Sequence, residues 1–336
     1  MLLYSSMCGI AGFINYKKTK ETAQLLDCAL KSISHRGPDD QGVFVQPDFV
    51  FGMRRLSIID IAHGKQPITN EDETITVVFN GEIYNHLELR AELIDKGHVF
   101  KTNSDTECLV HGYEEWGKEL PKKLRGMFAF CIHDAKQKKL FIARDQFGIK
   151  PLYYHMQAGQ IHGFASISRE INLAEVHAYA TLQYAPRTNT FFKHIYKLNP
   201  GHTLTIDLHT EEHSIEKYWQ FTFDEKRVQD ENYEGRKAQI REVLEDSVSH
   251  HMIADVPVAS FLSSGVDSSI IASLAKKNNQ NLKTYTIGFG EDRSETADAA
   301  EHAKFLGTDH KEIQVSFDDY FNALKKCAWH FDEPVA

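Results

Sequence analysis

The pattern of apolar residues changes character once along this chain, and no other feature of the sequence constrains the fold as strongly. From Ile10 to about Tyr154, β-branched and aromatic runs (Val77 to Phe79, Met127 to Ile132, Leu140 to Ala143) are bounded by Gly, Asn and Asp, which predicts packed antiparallel sheets. A polar, charged stretch follows between Tyr218 and Glu234. Beyond it the pattern alternates: helix Tyr233 to Ile253, strand Val256 to Leu262, helix Ser268 to Lys277, strand Thr284 to Phe289, helix Ala297 to Leu306, strand His310 to Val315. That alternation marks a parallel α/β sheet. The boundary is placed near residue 215, and 336 residues suffice for two cores at roughly 100–200 residues each.

Two helices are predicted to cover the first sheets. His86 to Lys96 ends at Gly97 and carries Leu87, Leu89, Ala91 and Leu93; Asp105 to Trp116 ends at Gly117, with Asp105 in the N-cap position. Met127 to Tyr154 reads as a hairpin through the polar turn Asp134 to Lys139.

Lys plus Arg number 38 against 47 Asp plus Glu, a net charge of −9. No summed field therefore favours nucleic-acid phosphate or anionic lipid. No apolar run approaches the roughly 18 residues of a membrane span, and Met1 to Ser6 lacks the parts of a signal peptide. Cys8, Cys28, Cys108, Cys131 and Cys327 are odd in number and dispersed, without a CxxC pair. They argue against a disulfide framework or zinc cluster and for a reducing cytoplasm. Cys28, Cys108 and Cys131 fall inside predicted elements and are expected to be buried filler. The 18 histidines contain no HExxH pair and no spacing that pairs with a cysteine, so they read as surface or structural groups.

Several polar clusters stand at predicted strand ends and turns: Met7-Cys8-Gly9-Ile10, His35-Arg36-Gly37-Pro38-Asp39, Arg55-Leu56-Ser57-Ile58, Asn80-Gly81-Glu82 and Asn103-Ser104-Asp105. Each alone is ordinary turn or cap chemistry. Together they supply what hydrolysis of an amino-acid amide needs. An Arg grips an α-carboxylate, carboxylates grip an α-ammonium, and an Asn amide beside a Gly N–H stabilises a tetrahedral oxyanion. A cysteine whose own α-amine is free combines nucleophile and base in one residue.

In these motifs and their order the chain resembles the class II glutamine amidotransferases, and its Arg-Gly-Pro-Asp form resembles the glutamine-hydrolysing asparagine synthetases. The resemblance implies an α+β N-terminal-nucleophile sandwich of αββα layers over residues 8–215. An incomplete parallel α/β domain of ATP-pyrophosphatase type would follow over 216–336, giving an α/β chain overall. It implies Cys8 as nucleophile, Asn80 with the Gly81 N–H as oxyanion hole, Arg55 as carboxylate anchor, and Glu82 with Asp105 as ammonium ligands. Backbone around Leu56 and Ile58 would line the pocket, and Asp39 would brace the nucleophile's loop.

Leu262-Ser263-Ser264-Gly265-Val266-Asp267-Ser268 lies between a predicted strand and helix, where small residues let backbone N–H groups approach phosphate. It resembles the pyrophosphate loop of ATP-dependent amide synthetases, with Ser264 in the first Gly position. The resemblance implies ATP over Ser263, Ser264, Gly265, Asp267 and Ser268, adenine against the backbone of Leu262 and Ile287, and Mg²⁺ at Asp267. No prosthetic group is implied. The implied partners are glutamine, aspartate and ATP, with no nucleic acid or membrane and with a homodimer as one candidate assembly.

Three departures qualify the resemblance. Seven residues (1–7) precede Cys8, and the expectation is a start at Met7 with removal of that Met. The Phe164 to Glu170 stretch lacks the usual acidic residue after Phe-Ala-Ser, an expected local change of the domain contact. The chain stops just after Asp332-Glu333-Pro334, so the synthetase part is expected to be truncated. The expected activity is glutamine-dependent asparagine synthesis, with two alternatives: glutaminase activity alone, or non-catalytic binding of glutamine.

Overall fold

A computed structural model describes residues 8–14, 21–164, 170–223, 232–289 and 294–331. The extension 1–7, residues 165–169 of the Phe164 to Glu170 stretch and the 332–334 segment lie outside these. Packing divides the chain into two compact units, one ending at Phe221 and one beginning at Thr222.

The first unit opens with β1 (Gly9–Ile14), α1 (Glu21–Ser32), β2 (Asp40–Val45), β3 (Phe49–Arg55), β4 (Ile68–Thr69) and β5 (Ile75–Ile83). Next come α2 (His86–Asp95), α3 (Glu107–Trp116), α4 (Leu120–Lys123), β6 (Gly126–Asp134) and β7 (Lys139–Arg144). It ends with β8 (Tyr153–Gln157), β9 (Gln160–Gly163), α5 (Leu173–Leu182), β10 (Ile195–Lys197), β11 (His202–Asp207) and β12 (His213–Lys217). The strands form two six-stranded sheets, in the orders β10-β8-β9-β1-β3-β2 and β12-β11-β7-β6-β5-β4.

Residue alternation decides the layering. Along β5 and β6, Val77, Phe79, Phe128, Phe130 and Ile132 face Leu89, Leu109 and Val110 of α2 and α3. Their neighbours Val78, Ala129 and Cys131 point the other way, against Phe49, Phe51 and Met53 of the opposite sheet. On the far side of that sheet, Ala11, Phe13 and Val50 pack on Leu26 and Leu30 of α1. The unit is thus an αββα sandwich whose central strands are buried on both faces, which is why β6 reads as a continuous apolar run.

Local details differ from expectation. In α2 the buried residues are His86, Leu89 and Leu93, whereas Leu87 is exposed; a three-to-four-residue spacing selects the core face. Cys28 is exposed on α1, two positions from each of the core-facing Leu26 and Leu30, so it is not filler; Cys108 and Cys131 are buried. Asn80-Gly81-Glu82 is not a turn. It continues β5 in register with β6, Gly81 opposite Phe128.

The second unit contains α6 (Tyr233–His251), β13 (Ala259–Phe261), α7 (Val266–Asn278), β14 (Lys283–Phe289), α8 (Ser294–Leu306), β15 (Asp309–Val315) and α9 (Phe317–Phe331). Its three strands pair in parallel, in the order β13-β14-β15. Two small clusters form its core: Val248, Leu274, Ala275 and Leu282, and separately Leu262, Ala272 and Ala303. No helix among the described residues is long and apolar enough to cross a membrane.

Candidate active site

Cys8 sits immediately before β1, and β1 pairs with β3, whose last residue is Arg55. The chain therefore brings Cys8 to the turn that follows β3. The Cys8 thiol donates to Leu56 O at 3.5 Å, and Leu56 N donates to Sγ at 3.3 Å. Burial pushes the thiol up to about 11, against the lowering effect of the Leu56 N–H, with Glu82 adding to the rise. A thiol so placed is a neutral S–H near pH 7 and needs a base close by.

Arg55 is buried, and three of its N–H groups go to carbonyls of the next loop: Nη1 to Ile61 O at 3.3 Å, Nη2 to Ile59 O and to Asp60 O, each at 2.9 Å. A guanidinium has five donors, so it holds the loop while keeping N–H groups for a ligand. Gly64 is required beside it, because a Cβ there would lie 2.6 Å from Nη2. Asp60 then links this loop to the segment before α3. Its Oδ2 accepts from Asn103 N at 2.7 Å and its Oδ1 from His63 N at 3.1 Å. Burial opposes the charge, but these bonds hold the Asp60 carboxylate below its usual range. Asp39 braces the same turn by accepting from Ser57 N at 2.8 Å.

The opposite wall is acidic. Asp105 Oδ2 accepts from Ile83 N at 2.9 Å rather than capping α3, whose first residue is Glu107. Burial raises Asp105, and burial together with the Asp105 charge pushes Glu82 up to about 8, only partly offset by Lys150. In a buried site the charge of one carboxyl disfavours ionisation of its neighbour.

Cys8, Arg55, Leu56, Ile58, Gly81, Glu82 and Asp105 line one cleft, joined by Gln66, Phe79, Ser104 and Thr106. Asn80 is buried next to this lining without forming part of it, and its Oδ1 has no hydrogen-bond partner among the described residues. Gly81 admits no side chain, since a Cβ would lie 2.1 Å from Met127 O. Sequence reasoning missed two contributors. Gln66 accepts from Phe79 N at 2.7 Å and donates to Thr106 Oγ1 at 3.3 Å. Lys150, buried after the β7 turn, acts electrostatically on both Glu82 and Cys8; burial lowers its own pKa against those two charges. The Gly148-Ile149-Lys150-Pro151 turn is its signal in the sequence.

In the second unit the Ser263 to Ser269 loop folds on itself. Ser263 and Ser268 hydroxyls meet at 2.8 Å, Ser268 Oγ accepts from Ser263 N at 3.1 Å, and Ser263 Oγ accepts from Gly265 N at 3.2 Å. Gly265 is the N-cap of α7, and Asp267 lies exposed in the first turn of that helix. Leu262 is buried and donates its N–H to Tyr285 O at 2.9 Å, while Ile287 is 41% exposed on β14. Ser263, Ser264, Gly265, Asp267 and Ser268 thus share one strand-to-helix turn. Ile287 stands on the neighbouring strand.

An αββα sandwich with a cysteine at the head of its first strand, set between an arginine and two carboxyls, is the arrangement that the glutamine amidotransferase class calls for. Sequence comparison gives the same class: the glutamine amidotransferase domain family matches residues 7–219 and the asparagine synthase family matches residues 239–336. Asparagine synthetase [glutamine-hydrolyzing] 1 of Bacillus subtilis (strain 168) is 41% identical over 98% of this chain and 54% of its own length. Putative asparagine synthetase [glutamine-hydrolyzing] 2 of Methanocaldococcus jannaschii is 32% identical over 98% of this chain and 68% of its own length. A protein named amidase chry2, from Gibberella zeae, is 32% identical over 98% of this chain and 54% of its own length. The chain belongs to the glutamine-hydrolysing asparagine synthetase family. It spans about half the length of most of the curated relatives it matches.

Proposed function

We propose that the first unit hydrolyses glutamine at Cys8 and that the activity it serves is ATP-dependent conversion of aspartate to asparagine. The observation that carries the first step is the placement of the Cys8 sulfur on the Leu56 backbone, in a cleft with Arg55 on one wall and Glu82 with Asp105 on the other. Such a cleft selects an amino acid by both of its charged ends and presents the side-chain amide to sulfur. Sγ attacks the carboxamide carbon, and its proton passes through the α-amine of Cys8 to the departing ammonia. Water then cleaves the thioester to glutamate. The Gly81 N–H and Asn80 amide are the proposed oxyanion donors. The reading requires a free α-amine on Cys8, because a thiol raised to about 11 is almost wholly protonated near neutral pH.

For the second step, ATP is the proposed substrate of the Ser263 to Ser268 loop, with adenine against the Leu262 and Ile287 backbone. Asp267 offers Mg²⁺ a hard oxygen ligand at the start of α7, the kind that suits this ion when it bridges phosphates. The ion would supply charge neutralisation of the phosphates. A cytoplasmic setting and a homodimer complete the proposal. Family membership and the unpaired cysteines support the first.

The test is glutamate release from glutamine by the purified chain with its N-terminal residue determined. Cys8→Ala is expected to lower the rate by at least about 1,000-fold, with the fold retained by circular dichroism. A Cys8→Ala protein that still releases glutamate at the wild-type rate defeats the proposal. Asparagine and AMP formation from aspartate, ATP and ammonia tests the second step separately.

A further inference from the structure

Away from the glutamine cleft, one cluster of side chains is unexplained by that chemistry. Glu71 in the β4–β5 turn, His98 after α2, and His111 and Glu114 on α3 bring four candidate ligand atoms within 4.8 Å of one another. His111 Nδ1 stands 3.3 Å from Glu71 Oε2, and His98 Nδ1 stands 3.8 Å from both Glu71 Oε1 and Glu114 Oε2. The His111 side chain is 1% exposed, yet its Nδ1 has no hydrogen-bond partner among the described residues. A buried imidazole nitrogen aimed at carboxylates calls for an explanation.

The outer contacts fix which atoms face inward. His111 Nε2 lies 3.5 Å from Glu107 Oε1, and His98 Nε2 lies 3.8 Å from Glu115 Oε2. Glu107 is itself held in place, Oε1 accepting from Lys101 N at 2.7 Å and Oε2 from the Thr102 N–H at 2.7 Å and hydroxyl at 2.6 Å. His111 Nε2 thus faces a carboxylate fixed on the outside of the cluster, and Nδ1 faces Glu71 on the inside. A buried ring nitrogen facing carboxylates without a hydrogen bond is satisfied by a cation lying between them. This carboxylate–histidine arrangement is the usual outer shell of metal-bound imidazole. The glutamates are held likewise, Glu71 Oε1 accepting from Val99 N at 2.7 Å and Glu114 Oε2 from Asn70 Nδ2 at 3.2 Å. Ligands about 2.0–2.2 Å from a tetrahedral ion are about 3.3–3.6 Å apart, a spacing matched by the 3.3 Å between His111 and Glu71 and exceeded by the 3.8 Å of the two His98 contacts.

We propose that Glu71, His98, His111 and Glu114 form a binding site for one divalent transition-metal cation of the Zn²⁺ class, with Glu107 and Glu115 orienting the two imidazoles. Its role is structural. It ties the turn before β5 to α3 and to the 98–107 segment, which also carries Asp105.

The full-length chain, stripped with chelator and titrated with Zn²⁺, is expected to take up one ion per chain at this site. Co²⁺ in its place should give a visible spectrum without thiolate-to-metal charge transfer, which separates the site from the cysteines. Glu71→Gln with Glu114→Gln is expected to weaken uptake by at least about 100-fold. His98→Asn alone should cost at least about tenfold, and serves if the double variant fails to fold. The proposal is overturned if the wild-type chain takes up no stoichiometric Zn²⁺, if the Co²⁺ spectrum shows thiolate ligation only, or if folded variants bind as tightly as wild type.

Discussion

Strand β6 of the first unit and strand β14 of the second solve the same burial problem in opposite ways. β6 turns Phe128, Phe130 and Ile132 to one core and Ala129 and Cys131 to another, so apolar residues are enclosed on both faces. β14 buries Thr284 and Thr286, while Ile287 is 41% and Phe289 59% exposed. Its inward hydroxyls are satisfied by specific partners: Thr284 Oγ1 meets Thr308 Oγ1 at 2.8 Å and His310 Nδ1 at 2.9 Å, and Thr286 Oγ1 donates to Leu262 O. The first unit is thus held by close-packed apolar volume and the second by small clusters and paired polar groups. The candidate glutamine site stands on the former, and the candidate nucleotide loop on the latter.

The largest effect that could break this contrast is in the cores. Phe130→Ala is expected to cost about 3–5 kcal/mol in urea unfolding, because the cavity lies between layers that cannot collapse. Leu274→Ala, at the margin of a four-residue cluster, should cost about 2 kcal/mol. Equal costs would remove the distinction.

The two site glycines sharpen it. Gly81→Ala forces Cβ to within 2.1 Å of Met127 O and is expected to cost about 2–3 kcal/mol by thermal unfolding. Gly265 has φ −70° and ψ 150°, and its nearest contact is the movable Ser263 hydroxyl at 3.2 Å. Gly265→Ala should therefore stay within about 1 kcal/mol of wild type.

A pH series probes the acidic wall. Glu82 has its folded-state value raised from 4.5 to about 8, so the folded chain keeps a proton that the unfolded chain has lost between those values. Its contribution to stability is complete below pH 4.5 and disappears as pH rises through 8. Glu82→Gln, which mimics the protonated acid, should match wild type near pH 5 and exceed it at pH 8.5 by on the order of 2 kcal/mol. A constant difference across the series would show that Glu82 is not so perturbed.

The smallest effect is expected in the loop. Ser268→Ala removes the hydroxyl that meets both Ser263 N and Ser263 Oγ and should cost about 1 kcal/mol of stability in the second unit, with the first unit's transition unmoved.

What the sequence disclosed follows the same division. Periodicity located β6 and the α/β alternation, because each is local and imposed by burial, but it did not separate the buried Leu89 and Leu93 of α2 from the exposed Leu87. The cleft residues were legible as residue types in order along the chain. Their geometry was not, since Asp105 meets Ile83, Asp60 meets Asn103 and Gln66 meets Phe79 and Thr106 only after the sheet has formed. The Asn80-Gly81-Glu82 triplet resembles a turn because its composition does, yet pairing with β6 holds it extended. The outward apolar residues of the second unit, including Phe305 at 90% exposure, obey no periodic rule that a single sequence reveals.

The self-bonded serine loop ahead of α7 has one more consequence. The triphosphate proposed for this loop would exchange hydroxyl contacts already made rather than satisfy idle ones, so the net gain per contact would be small. Recognition at such a turn rests on how well the incoming oxygens reproduce the spacing they displace, and anions of the wrong shape gain little from charge alone.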